Sequence, residues 1–146
     1  MKAEIKKSHD TLLNMAFVKV NSTFSGGYNL SIKNMSSRYY HAKECYFIAI
    51  AIKVLLQDTD WLRYAGLWLT TLDNDFDDRL WIDEENNLFL NRRYEYDLST
   101  EALRRSLQQQ CTIAKHLQLN YDARSDDYHD TKHGTEHYID EPRIFR

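Results

Sequence analysis

The sequence predicts an α+β fold, an antiparallel sheet packed on one face by helices in the order α-β-β-β-α-β-β-α. Three observations carry that prediction. Residues 45–54, CYFIAIAIKV, place Tyr46, Ile48, Ile50, Ile52 and Val54 at period two, the pattern of a buried strand. Residues 79–82 and 88–96 are apolar-alternating runs either side of DEENN, the pattern of a hairpin. Residues 98–119 carry Leu103, Leu107, Cys111, Ala114 and Leu117 at helical spacing. A chain of 146 residues has the length of one domain.

The remaining elements follow in order. Ile5, Leu12 and Met15 share one face of a short helix over 3–15. Residues 17–20 form a strand, NSTFSGG turns the chain through Gly26 and Gly27, and Tyr28, Leu30 and Ile32 alternate along a second strand. Residues 34–44, polar and aromatic, read as a loop. Asp58, Thr59 or Asp60 can cap a helix over 61–72. Its apolar residues run nearly all the way round, so it is buried, by its own chain or by a partner. Ser99 is suited to cap the last helix, and Glu101 sits where the helix dipole favours an acid.

Charge divides the chain near residue 120. The whole carries 19 Lys+Arg against 22 Asp+Glu, a net of −3, and residues 121–146 contribute all of it. A neutral body, 1–120, with an acidic tail, 121–146, has no electrostatic footprint for nucleic acid or an anionic membrane. No run approaches the roughly 18 apolar residues of a membrane span. The tail lacks an apolar period and reads as flexible. The first residues lack the apolar core of an export signal, and two unpaired cysteines fit a reducing cytoplasm.

Candidate chemistry is sparse. His129, His133 and His137 stand four apart, the spacing of a zinc or nickel half-site on a helix, but lie in a polar stretch with Gly134. His41 and Cys45 could form an imidazole–thiolate pair, although no third group orients them. Asp73, Asp75, Asp77 and Asp78 lack the glycine and glutamate of a calcium loop and read as a solvated connection. Arg92–Arg93 and Arg104–Arg105 are too few for a nucleic-acid patch. No catalytic motif emerges, so no enzyme and no cofactor or metal is expected. The excess is aromatic: three Trp, ten Tyr and six Phe, residues favoured at protein interfaces.

Residues 65–118 contain an apolar helix (WLRYAGLWL begins it at Trp61), a strand RLWID, an acidic-Asn turn EENN, a strand LFLNRRYEY, a helix start LSTEAL and a long helix SLQQQCTIAKHL. This order resembles the C-terminal half of class I type III secretion chaperones, the Tir-chaperone family. The resemblance implies a cytoplasmic bacterial homodimer that holds the N-terminal region of a secreted effector in extended form, with no cofactor. It implies a dimer interface at Trp61, Leu62, Tyr64, Ala65, Trp68 and Trp81. It implies effector-binding grooves at Leu12, Leu13, Phe17, Phe24, Leu30 and Ile32. The alternative reading is a small inhibitor or immunity protein that blocks a toxin or nuclease.

Overall fold

The computed structural model describes residues 2–72 and 77–134. Helix α1 (Lys2–Leu13) leads into four consecutive strands, β1 (Val18–Phe24), β2 (Gly27–Ile32), β3 (Met35–His41) and β4 (Cys45–Ile52). Helix α2 (Thr59–Thr70), the hairpin β5 (Arg79–Ile82) and β6 (Leu88–Glu95), and helix α3 (Thr100–Gly134) follow. The six strands form one antiparallel sheet in the order β1-β2-β3-β4-β6-β5. The α+β class and the helix-packed antiparallel sheet hold, with one strand more before α2 than expected.

That extra strand is β3, in the segment expected to be a loop. Its signal is the turn before it. Lys33 and Asn34 both have positive φ, 51° and 66°, and Ile32 pairs with Met35 across them. Two successive left-handed residues match the twist of the flanking strands and close a tight hairpin. At the preceding turn only Gly26 is left-handed, at φ 96°. β1 also runs four residues beyond the expected strand, through polar Asn21–Phe24, because its ladder partners on β2 satisfy its backbone.

Side chains at period two give the sheet two unlike faces. Leu30, Ile32, Tyr39, Tyr46, Ile48, Ile50, Leu88, Leu90 and Tyr94 meet Leu12 and Met15 of α1, Trp61 and Ala65 of α2, and Leu103, Leu107, Cys111, Ala114 and Leu117 of α3 in one core. Two polar groups are threaded through it. Gln110 donates to the carbonyls of Ile48 (2.7 Å) and Leu90 (3.1 Å) and accepts from the Tyr94 hydroxyl (2.6 Å). Arg92 is fully buried, its guanidinium gripped by both Asp78 oxygens (2.5 and 2.6 Å) and by the Ser106 carbonyl (2.8 Å). Asp78 is therefore a buried counterion, not part of a solvated connection, and Arg92 is no surface base. Such a cation needs its partners, since desolvation without pairing is prohibitive.

The helix α3 passes the expected boundary at residue 120 and continues to Gly134. Tyr121 is buried, and its hydroxyl accepts from the Leu55 N–H at 3.1 Å. Arg124 pairs with Asp58 at 2.8 Å. Residues 121–134 are thus helical, anchored at their start by contacts that no apolar period announces. Among the described residues no helix is long and apolar enough to cross a membrane.

Candidate functional site

The expected interface helix has a polar side after all. Trp61 and Ala65 are sealed inside the chain, while Arg63, Leu67 and Thr70 face outward. The Trp61 indole donates to the Asn120 side-chain oxygen (2.9 Å) and meets the Tyr121 ring edge-on at 5.2 Å. Trp68 stacks on His116 at 4.4 Å, and Leu62, Tyr64 and Trp68 pack against the core, half-buried. Trp61 and Ala65 therefore cannot meet a partner. The near-continuous apolar surface of α2 is consumed by its own α3 and sheet, leaving Leu67 as the exposed large apolar side chain of this helix at 53% exposure.

The expected effector residues divide similarly. Leu12, Leu30 and Ile32 are interior, because Leu30 and Ile32 lie on the sheet face that the helices cover and Leu12 faces it from α1. Leu13, Phe17 and Phe24 remain half-buried. Phe17 lines an open groove of 520 Å³ with Met15, Thr100 and Arg104, between the end of α1 and the start of α3.

Among the described residues no helix packs on the opposite sheet face, and here the structure assembles a group that the sequence left dispersed. Phe24 meets Tyr40 at 5.4 Å, Tyr40 meets Trp81 edge-on at 5.6 Å, and Trp81 meets Phe89 at 5.4 Å. The rings come from β1, β3, β6 and β5, and Ala49, on β4 between them, is small and fully buried beneath the row. Arg38 rests on the Phe89 ring at 4.7 Å and pairs with Asp83 at 3.1 Å. Burial alone would lower its basicity, but the Tyr40 hydroxyl and the Asp83 carboxylate outweigh that and raise it. Phe24 and Trp81, expected at separate sites, thus belong to one aromatic row. Arg38 and Tyr40 were missed because residues 34–44 read as a loop; Phe89 lies on a strand that was expected, on its helix-free face.

Two strands edge the sheet, and they differ. β1 is interrupted by a bulge between Val20 and Ser22 and carries exposed Lys19, both devices that discourage further pairing. β5 pairs with β6 without interruption; past exposed Arg79 at its start, Leu80–Ile82 includes no charge, proline or bulge. Trp81 and Ile82 are 38% and 46% exposed, and α2 packs beside the strand. Such an edge is receptive to another strand.

The other candidate groups do not assemble. His41 pairs with Tyr46 in the ladder, whereas Cys45 is one position along β4, so the two side chains project to opposite faces. Cys45 instead lies against the Arg93 side chain. Burial pushes the Cys111 thiol up to about 11, which makes it a core residue. Among the described residues no group of three or more His, Cys, Asp or Glu could hold a metal ion. His129, His133 and His137 lie outside the residues whose side chains are described, as do Asp73 and Asp75. No protein-family model matches the chain, and no curated protein matches it significantly.

Proposed function

We propose that this chain is a non-catalytic, cytoplasmic protein-binding domain of the class I type III secretion chaperone type. It pairs with a second copy through β5 and the outer side of α2, and holds the N-terminal region of a secreted effector in extended form. The observation that carries the reading is the unprotected β5 edge, with Trp81 and Ile82 exposed and α2 alongside. A short edge strand that bears large exposed apolar side chains past a single charge, Arg79, is a liability for a solitary protein and an asset for one that pairs. The element order from α2 onward also agrees with the resemblance, although four strands precede α2 where it implies three.

The dimer contacts narrow to Trp81, Ile82 and Leu67, with Leu62, Tyr64 and Trp68 at the margin. Client contacts narrow to Leu13, Phe17 and Phe24, the expected residues that stay within reach of solvent. An extended client would lay alternate side chains into the groove beside Phe17, between the end of α1 and the start of α3. Its ordering entropy demands a long contact.

Co-purification of the full chain from its native host, followed by limited proteolysis of the complex, tests the reading. A protected N-terminal segment that has no fixed structure alone is the expected result. A compactly folded toxin or nuclease domain in its place would overturn the chaperone reading in favour of an inhibitor.

A further inference from the structure

Beside the aromatic row lies an open groove of 590 Å³, within the size range of small-molecule sites. Its polar lining comes from separate elements: Asn21 of β1, Asn29 of β2, Arg38 of β3, Lys53 after β4 and Asn86 of the β5–β6 turn, with Phe89 as an apolar wall. Two departures from regular backbone geometry converge on it. Asn21 is the extra residue of the β1 bulge, with no ladder partner between Val20 and Ser22. Asn86 sits at φ 65°, a conformation that Asn tolerates better than most residues. Bulges recur where a side chain is re-aimed toward a site.

The chemistry is consistent around the groove. Its lining includes two cations and no carboxylate. Arg38 is held by Asp83, whose own charge is also satisfied by the N–H groups of Glu85 and Asn87. Lys53 uses its backbone N–H and C=O on Gln118, and its ammonium has no counterion among the described residues. Asn21 and Asn29 donate to Ser31 and Ser22, which leaves their carbonyl oxygens to accept. Carboxamides that both donate and accept suit hydroxyls, and an ammonium without a counterion among the described residues, lining the same groove as a planar guanidinium, suits a phosphate.

The geometry points to this groove as a binding site for a small phosphorylated sugar, with Lys53 and Arg38 on the phosphate and Asn21, Asn29 and Asn86 on the hydroxyls. The groove borders the β5–β6 hairpin, with Phe89 against Trp81 at 5.4 Å, but its polar lining is complete within one chain and does not depend on pairing at β5. Backbone amide NMR of the full chain, titrated with ribose 5-phosphate, inorganic phosphate and ribose up to about 10 mM, tests it. Ribose 5-phosphate shifts the amides around Lys53, Asn29 and Asn86, and ribose binds about tenfold more weakly or not at all. Lys53→Met and Asn86→Gly each weaken binding about tenfold without altering the rest of the spectrum, since Lys53 is exposed and glycine accepts positive φ. The assignment is overturned if no shift appears or if the shifts map elsewhere. Binding of ribose or inorganic phosphate as tight as the sugar phosphate, or unchanged binding by Lys53→Met, also overturns it.

Discussion

At Gly27 the chain has no room for a side chain. A Cβ there would stand 1.7 Å from the Tyr39 carbonyl oxygen, on the central side of a β2–β3 ladder that cannot shift without losing register. Gly27→Ala is expected to destabilise the fold by about 1–3 kcal/mol, read from chemical denaturation with an unchanged m-value. Arg92 sets a second local requirement. Removing its carboxylate partner leaves a buried cation unpaired, so Asp78→Ala is expected to lose about 3–5 kcal/mol. Replacing both residues by Leu should recover most of that loss, because a well-packed apolar pair can substitute for a buried ion pair. Cys111 supplies a chemical readout of the same core. With its thiol raised to about 11 and the side chain buried, it should resist alkylation in the native protein at neutral pH and react at once in denaturant.

Among the elements, the β5–β6 turn has a measurable pH signature. Asp83 accepts from the backbone N–H of Asn87 (2.8 Å), the side-chain amide of Asn87 (3.1 Å) and the backbone N–H of Glu85 (2.9 Å), with Arg38 beside it. These bonds, the Asn87 backbone first, lower its pKa in the folded protein. A lowered folded value means the turn contributes its stability above the unfolded carboxyl range near about 4, and loses it as pH falls through the lower folded value. Asp83→Asn should therefore flatten the acid limb of the stability profile and leave the neutral limb parallel to that of the parent. The strands differ in how far the sequence disclosed them. β4 and β6 were legible because burial repeats at period two, and β5 because its hairpin turn is acidic and Asn-rich. β3 was hidden because its inward positions include Ser37 and its outward ones Arg38 and Tyr40, so hydropathy does not alternate. Only the Lys33–Asn34 turn geometry betrays it. The continuation of α3 past 120 was hidden for a related reason, since Tyr121 and Arg124 anchor it by single contacts rather than by a stripe.

For the whole molecule, the decisive correction concerns where aromatic surface goes. Period and composition show how much apolar surface must be covered, but not by which chain. By composition the α2 tryptophans read as an interface, because apolar residues run nearly all the way round their helix. In the fold, Asn120, Tyr121 and His116 of the long α3 receive them. The interface burden moves to the end of the sheet, where β5 exposes Trp81 and Ile82, and α2 exposes Leu67. The helix-free face holds its own aromatic row and, next to it, the polar groove. An antiparallel pairing of β5 with its copy would be isologous, bringing both strands and both α2 helices to a two-fold axis. The mass of the full chain in solution, measured by light scattering across micromolar concentrations, tests this pairing most directly. The parent protein is expected at twice the mass of one chain, and Ile82→Lys at the mass of a single chain with unchanged secondary structure. A parent that stays a single chain at every concentration, or an Ile82→Lys variant that stays paired, would contradict it.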